Sequence, residues 1–250
     1  MIRFFFAIYQ IIIWVPLFLL STILTGIVTI VGCGLGGRRF FAYYPGMLWS
    51  KFTCIISLCP VKIRGKEKLN RSQSYIFVSN HQGAYDIFLL YGYLGQPIKW
   101  VMKESLRFIP LVGEACHSAG FIFVDNSSPK AAAQTIEIAK EQMQEGDSFV
   151  FFPEGSRSKT GQLGVFKKGA YHMAMDMKLP IVPITINGTF EVMPNLGYWI
   201  RPHRIELIIH DPIDTSEFPR GNLRETVESI RSLIDITKET IHGSLWEKYL

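Results

Sequence analysis

A long run of apolar residues occupies the N-terminal part of the chain. No charged side chain stands between Phe4 and Gly37, so the run exceeds the roughly 20 apolar residues with which a helix spans the core of a bilayer. Its side chains are apolar on every face rather than along one stripe, which favours a membrane helix over a core helix of a soluble protein. The run is also too long for the apolar part of a signal peptide, and we expect Pro16 to kink the helix.

A second apolar stretch, from Phe40 to Leu58, differs from the first. Aromatic residues are spread through it, Lys51 is its one charged residue, and Pro60 follows it. This pattern is typical of an interfacial or re-entrant helix whose rings lie at the level of the lipid head groups. Residues 1–60 are therefore predicted to form a membrane-anchoring, membrane-embedded helical pair. Two arrangements stay open: the first helix spans the bilayer, or the pair dips into one leaflet.

The remaining residues, 61–250, alternate between short β-branched or aromatic runs and longer helical patterns. The short runs predict strands at residues 75–78, 98–101, 121–124, 149–152, 181–186 and 205–209. The longer patterns predict helices at residues 83–94, 129–145, 167–177 and 223–242. Strands separated by helices predict an α/β domain with a mostly parallel or mixed sheet flanked by helices. In such sheets, binding sites lie in the loops that follow the carboxyl ends of the strands.

Composition narrows the classes of function. The chain is 48% hydrophobic and 19% charged, and its mean hydropathy of +0.18 is high for a soluble enzyme. The net charge of +5 suits an anionic membrane surface or an anionic substrate, and no motif for DNA or RNA recognition occurs, so no nucleic-acid partner is expected. The four cysteines form no CxxC pair and indicate no disulfide framework, and we expect neither a metal nor a cofactor.

Basic residues flank the first apolar run unequally. Arg3 precedes the run, whereas a larger group of lysines and arginines follows it, namely Arg38, Arg39, Lys51, Lys62, Arg64, Lys66 and Lys68. The positive-inside bias therefore predicts a membrane protein whose catalytic part faces the cytoplasm. If the source is bacterial, this is the inner, or cytoplasmic, membrane.

The loop after the first predicted strand carries a histidine and a carboxylate. The segment SNHQGAYD, residues 79–86, places His81 five residues before Asp86. Positions five apart diverge on a helix, so the two side chains meet only if His81 lies in the loop before the helix that carries Asp86. A carboxylate beside an imidazole fixes its tautomer and stabilises the imidazolium that forms when it takes a proton. His81 and Asp86 are therefore candidate catalytic residues, although the spacing alone also fits a capping or surface histidine.

A second candidate loop follows a later predicted strand. The segment FFPEGSRSK, residues 151–159, contains Glu154, Gly155, Ser156 and Arg157, and two further lysines follow downstream. The glycine lets the backbone approach a ligand, and the arginine offers a planar fork of donors to phosphate or carboxylate. The segment therefore predicts an oxyanion-binding loop, and the alternative is an ordinary exposed turn.

Together these loops resemble the motifs of a known family, the membrane-bound glycerophospholipid acyltransferases, especially the bacterial lysophosphatidic acid acyltransferases. The family's NHxxxxD block is similar to residues 80–86, and its FPEGTRS block is similar to residues 152–158, with Ser156 in place of Thr. Its KEL…IP…G segment resembles residues 103–113, and its VPI block resembles residues 182–184. The four blocks occur in the family's order.

The resemblance covers roughly residues 60–190 and implies a function. It implies transfer of a fatty acyl group from acyl-CoA or acyl-carrier protein to the free sn-2 hydroxyl of lysophosphatidic acid at a phospholipid membrane. His81 is then the general base, and Asp86 orients it. Substrate-binding roles are implied for a set of loop residues, namely Asn80, Lys103, Glu154, Gly155, Ser156, Arg157 and Lys167. Backbone N–H groups near Gly83 or Gly155 are candidates for holding the oxyanion.

One block departs from the family pattern. The family usually shows Gly-x-x-Phe-Ile-Asp-Arg, whereas residues 120–126 read GFIFVDN, so Asn126 stands where the family has an arginine linked to the acceptor's phosphate. Hydrogen bonds from charged donors are roughly twice as strong as those from neutral ones. Either other cations bind the phosphate, or the acceptor is a different lysolipid. A membrane esterase and a non-catalytic scaffold are more distant alternatives, and the esterase would need a GxSxG motif that does not occur.

Overall fold

The computed structural model of the chain describes residues 2–124, 137, 147–194, 197, 199–218 and 223–238. Its centre is a sheet with strands β1 Val61–Arg64, β2 Ile76–Ser79, β3 Lys99–Lys103, β4 Ile122–Val124, β5 Phe149–Phe151, β6 Ile181–Asn187 and β7 Ile205–Ile209. Over the described ranges, the strand order is β1-β7-β6-β2-β5-β3-β4. Neighbouring strands are parallel except β6 and β7, which are antiparallel. The prediction of a mixed α/β sheet is confirmed.

β1 is the strand that the hydrophobic pattern did not predict, whereas the other six lie within two residues of the predicted ranges. Lys62 and Arg64 interrupt the apolar pattern of β1, which forms one edge of the sheet beside β7. Arg64 Nε lies 2.5 Å and Lys62 Nζ lies 3.5 Å from Oε1 of Glu206, a buried residue of β7. Charge pairing across the two strands therefore replaces the apolar packing that identifies a central strand from sequence.

Helices cover both faces of this sheet. They are α1 Ile2–Tyr9, α2 Val15–Gly34, α3 Arg38–Phe41, α4 Tyr44–Ile56, α5 Tyr85–Tyr93, α6 Val112–Ala119, α7 Gly169–Met177, α8 Thr189–Val192 and α9 Leu223–Thr237. Side chains of α4 and α5 pack with apolar strand residues in one core, and those of α7 and α9 pack in a second core. Of the helix predicted at residues 129–145 the structure describes only residue 137, and the part of the last predicted helix beyond residue 238 lies outside the described residues.

The N-terminal apolar run folds as a long helical segment that packs along the domain. The helical segment Phe4–Gly34 is long and apolar enough to cross a membrane, and it is the one such helix in the described part of the chain. Within its most apolar stretch of 18 residues, 6% is buried inside the protein. Trp14 donates its indole N–H to the Ser57 hydroxyl at 2.8 Å. Trp49 of α4 donates to the Thr22 hydroxyl at 3.0 Å, so one side of the segment is fastened to α4.

The helical segment changes its hydrogen bonding just before Pro16, where a kink was expected. A π-turn at Gln10–Trp14 joins α1 to α2, and the N–H of Val15 donates to the carbonyl of Gln10. Proline has no N–H to donate, and a π-turn is one way for a helix to absorb the missing bond. Membrane embedding of α3 and α4 stays a prediction, as does a domain boundary after residue 60.

Candidate active site

Asn80 fixes the point at which the candidate catalytic loop, residues 80–84, leaves the sheet. β2 is buried along its length, and the chain continues through Asn80 before α5 begins. The fully buried Asn80 amide donates to the carbonyl of Ile186 at 2.9 Å and accepts from the N–H of the same residue at 2.8 Å. Both ends of the amide are thus bonded to the neighbouring strand β6. These bonds give Asn80 a positioning role. Its predicted role in binding substrate stays a prediction.

The structure brings His81 and Asp86 together. His81 lies in the loop, Asp86 lies in the first turn of α5, and His81 Nδ1 is 2.7 Å from Asp86 Oδ2. The same oxygen accepts the backbone N–H groups of Gln82 at 2.6 Å and Gly83 at 3.0 Å. Asp86 is fully buried, so these donors hold its carboxylate in place of bulk water. Because Nδ1 faces Asp86, Nε2 is the ring nitrogen left to exchange a proton with a substrate.

The N–H groups of Gly83 and Gly155 are themselves bonded within the chain, and a role for backbone N–H groups near them in holding an oxyanion stays a prediction. Gly83 donates to the carboxylate of Asp86, and Gly155 donates to the carbonyl of Phe152 at 2.9 Å. Gly83 is required for a different reason. A Cβ at this position would lie 2.7 Å from the carbonyl oxygens of Thr189 and Met193, so only glycine lets the loop pass α8 this closely.

The imidazole of His81 lies flat on the ring of Phe152. The two ring centroids are 3.8 Å apart and the planes differ by 11°. Phe152 stacks in turn on the buried Trp100 of β3, at 6.0 Å and 21°. The carboxylate and the stack together fix both the tautomer and the plane of the imidazole. Sequence reasoning missed this role of Phe152, because an aromatic residue directly after a buried strand is also typical of the core.

Glu154 ties the second loop to the first. Its Oε1 accepts the backbone N–H of His81 at 2.7 Å, and its Oε2 accepts that of Gly164 at 2.8 Å. The backbone N–H of Ser158 donates to the His81 carbonyl at 2.8 Å, so both backbone polar groups of His81 are bonded to this loop. Burial raises the pKa of the Glu154 carboxyl, although its two N–H donors oppose the shift. Through these bonds Glu154 positions the candidate base.

Glu154→Gln should change how stability depends on pH. A carboxyl whose pKa is raised by folding binds more protons in the folded state than in the unfolded state, from about 4.3 up to the raised pKa. The free energy of unfolding contributed by Glu154 therefore falls as the pH rises through that window. Denaturant unfolding measures the free energy of unfolding of both proteins from about pH 4 to about pH 7. The wild-type value minus the variant value should decline as the pH rises and then level off. A difference that is constant with pH would contradict this, and the exposed Glu67→Gln controls for the loss of one carboxylate.

Positive charge gathers around the second loop. Gly155 has a φ of +76°, and a Cβ there would lie 2.8 Å from Nζ of Lys167. The backbone N–H of Lys167 donates to the carbonyl of Pro153 at 2.9 Å. In the same loop Ser156 is exposed and Arg157 is half-buried. The left-handed glycine therefore lets the lysine ammonium approach the loop backbone closely, and the ligand-binding roles of these residues stay predictions.

Lys103 lies further along the same edge of the sheet. It is the exposed last residue of β3, which pairs in parallel with β5, so its carboxyl end faces the side that carries the two loops. Its role in binding substrate also stays a prediction. Asn126, where the family pattern breaks, lies outside the described residues.

Comparison with known proteins bears on the same part of the chain. The model of the Acyltransferase family matches residues 60–187, which include both loops. A chloroplastic 1-acyl-sn-glycerol-3-phosphate acyltransferase of Brassica napus is 37% identical over 178 residues, covering 70% of this chain and 51% of that protein. The 1-acyl-sn-glycerol-3-phosphate acyltransferase of Saccharomyces cerevisiae is 31% identical over 225 residues, covering 86% of this chain and 72% of that protein. The chain spans about half the length of the plant relatives that it matches.

The fold also has a solved counterpart. The crystal structure of the 1-acyl-sn-glycerophosphate acyltransferase PlsC of Thermotoga maritima superposes with a TM-score of 0.69 at 24% identity, covering 90% of this chain and 95% of that one. This likeness concerns the fold. The family model, by contrast, matches the sequence through the His81 loop, the Glu154 loop and β6. The chain therefore belongs to the acyltransferase family.

Proposed function

We propose that the chain transfers a fatty acyl group from an acyl thioester to the free sn-2 hydroxyl of lysophosphatidic acid, giving phosphatidic acid. The observation that carries this proposal is the buried Asp86 carboxylate 2.7 Å from Nδ1 of His81, at the sheet edge that also carries Arg157 and Lys167. A general base beside cationic side chains suits an acceptor lipid that carries both a hydroxyl and a phosphate. The plant and yeast relatives are named as 1-acyl-sn-glycerol-3-phosphate acyltransferases, which supports this choice of acceptor.

In the proposed reaction His81 is the general base. Its Nε2 removes the proton from the acceptor hydroxyl as the oxygen forms a bond to the thioester carbonyl carbon. The resulting tetrahedral oxyanion collapses, the carbon–sulfur bond breaks, and the leaving thiolate takes the proton back from Nε2. Asp86 orients the ring and stabilises the imidazolium between the two proton transfers. Base catalysis of this kind contributes roughly 10²–10⁴-fold to the rate.

The acceptor is itself the nucleophile in this scheme, so no side chain is acylated. Acyl-CoA or acyl-carrier protein then serves as co-substrate, and the reaction needs no further cofactor. An esterase mechanism through Ser156 would instead leave a covalent acyl-enzyme. Mass spectrometry after incubation with acyl-CoA separates the two mechanisms, and we expect the mass of the unmodified chain.

The N-terminal helical segment suits a reaction in which both acceptor and product are lipids. Its outer side chains Leu20, Leu24 and Val31 are exposed, whereas Gly26 faces Leu111 of the domain so closely that a Cβ would lie 2.8 Å from that side chain. We therefore place the domain against the bilayer surface. The excess of basic residues after the apolar run places it on the cytoplasmic side.

Arg157→Ala should raise the KM for lysophosphatidic acid by roughly 10–100-fold, because a charged hydrogen bond contributes about 1.5–3 kcal/mol. The kcat should change much less, since the phosphate does not react. The effect should shrink for an acceptor that lacks a phosphate monoester, such as a monoacylglycerol. Steady-state kinetics measure both parameters, and the exposed Arg224→Ala on α9 is the matched control. An unchanged KM would remove Arg157 from this role.

A panel of lysolipids with one labelled acyl-CoA tests the proposed function. The full-length protein in detergent micelles should convert lysophosphatidic acid to phosphatidic acid faster than it acylates lysolipids with larger head groups. A preference for another lysolipid would instead favour the second candidate, an acyltransferase of the same chemistry with a different acceptor, to which Asn126 points. Absence of transfer to every lysolipid would contradict both candidates.

A further inference from the structure

A small cavity borders the candidate catalytic loop on the side of β6. Its volume is about 180 Å³, and its wall includes Gln82, Thr160, Asn187, Glu191 and Lys238. Gln82 directly follows His81 in the chain. The backbone N–H of Ser158, two residues before Thr160, donates to the carbonyl of His81 at 2.8 Å. Gln82 of the wall is therefore joined directly to the candidate base, and the loop that carries Thr160 is bonded to it through Ser158.

Two buried carboxamides in the cavity wall have polar atoms without a hydrogen-bond partner among the described residues. Gln82 and Asn187 are each 2% exposed. Within the described part of the chain, Nε2 of Gln82 and both Nδ2 and Oδ1 of Asn187 have no hydrogen-bond partner. Buried polar atoms in native proteins are nearly always paired. Three such atoms at one cavity therefore indicate a ligand that supplies both an acceptor and a donor.

The cavity lies at the end of β6, whereas Arg157 and Lys167 lie in the loop that follows β5, and this loop reaches the cavity wall at Thr160. Strand β2 lies between β6, which ends at Asn187, and β5, which leads to Arg157. In the proposed function the acceptor's phosphate binds on the β5 side. On the β6 side the carboxylate of Glu191 disfavours a second phosphate, and Lys238 Nζ donates to the carbonyl of Gly161. The cavity therefore suits an uncharged, polar part of the other substrate.

We infer that this cavity binds the amide-bearing pantetheine arm beside the thioester of the acyl donor, an inference that rests on the proposed function. A secondary amide has one N–H and one carbonyl, which pair with the acceptor and donor of the Asn187 carboxamide. A water molecule takes up about 30 Å³ in the liquid, so the cavity has room for roughly six waters. This space is enough for one amide unit and too small for a nucleotide. Acyl-CoA and acyl-carrier protein share this arm, so the site serves either donor.

Donor kinetics of Asn187→Leu and Gln82→Leu test this site in the full-length protein. Leucine is close in size to both residues and removes the hydrogen-bonding atoms. The donors share one acyl chain and are acyl-CoA, acyl-carrier protein, the N-acetylcysteamine thioester with one amide, and an S-ethyl thioester with none. The KM for the three amide-bearing donors should rise about tenfold, with the KM for lysophosphatidic acid unchanged. The S-ethyl thioester should show no such rise, and exposed Asn70→Leu should match wild type.

The outcomes separate this inference from the proposed function. Wild-type transfer with an unchanged donor KM in both leucine variants would overturn the inference alone, because the cavity would then hold ordered water only. A rise of equal size for the S-ethyl thioester, or a raised KM for lysophosphatidic acid, would also overturn it. If Asn187→Leu shows no cooperative unfolding transition, Gln82→Leu decides the outcome. Absence of transfer by the wild-type protein from every donor would overturn the proposed function.

Discussion

Replacing His81 with alanine should lower kcat for acyl transfer to lysophosphatidic acid by roughly 10²–10⁴-fold. In the proposed function the variant removes the group that takes the acceptor's proton, while the proposed phosphate contacts of Arg157 and Lys167 are left intact. The backbone of residue 81 keeps its bonds to Glu154 and Ser158, which do not involve the imidazole, so we expect the loop to stay folded. Steady-state kinetics of labelled acyl transfer in detergent micelles measure the loss.

His172→Ala is the matched control for this prediction, because His172 is an exposed residue of α7. It should retain the wild-type kcat. Circular dichroism and thermal unfolding establish whether the His81→Ala protein is folded. A folded His81→Ala protein with wild-type kcat would refute the assignment of the base.

Asp86→Asn should lower kcat by roughly 10³-fold with little change in KM. The amide oxygen of asparagine can still accept the N–H groups of His81, Gln82 and Gly83, so the variant chiefly removes the negative charge. Two unit charges about 4 Å apart at an effective dielectric constant of about 20 interact by about 4 kcal/mol, and each 1.36 kcal/mol corresponds to tenfold in rate. The imidazolium formed during transfer loses that stabilisation.

The exposed Asp211→Asn provides the control, because Asp211 is paired with Lys68 at the surface at 2.8 Å. It should leave kcat unchanged. The double variant His81→Ala with Asp86→Asn gives a sharper test, since the carboxylate acts through the imidazole. Its kcat should be no lower than that of His81→Ala alone. A further large loss in the double variant would mean that Asp86 has a separate role in the reaction.

The sheet was largely predictable because its strands are buried and rich in β-branched and aromatic residues. β6, with the sequence IVPITIN, is buried at every position, and its range was predicted to within one residue. β1 was missed because Lys62 and Arg64 pair with a charged neighbour instead of apolar side chains. The order of the strands was not predictable either. Local periodicity carries no information on which strands become neighbours across long connections.

Local spacing predicted part of the candidate site. The five-residue step from His81 to Asp86 required a loop followed by a helix, and the structure has this arrangement. The stacking of Phe152 and the bonds from Glu154 to the His81 backbone join segments about seventy residues apart. Such contacts depend on β2 and β5 being neighbours, so no local pattern along the chain predicts them. The buried carboxamide of Asn187 was missed for the same reason.

One assay tests the central claim most directly, namely that the His81–Asp86 pair activates the lipid hydroxyl for attack on the thioester. Release of free CoA thiol and formation of phosphatidic acid are followed together, with and without lysophosphatidic acid, for wild type and His81→Ala. The wild type should release thiol only when lysophosphatidic acid is present, one thiol for each phosphatidic acid, and both products should fall together in His81→Ala. Thiol release by the wild type without acceptor, or undiminished phosphatidic acid formation by folded His81→Ala, would contradict the claim.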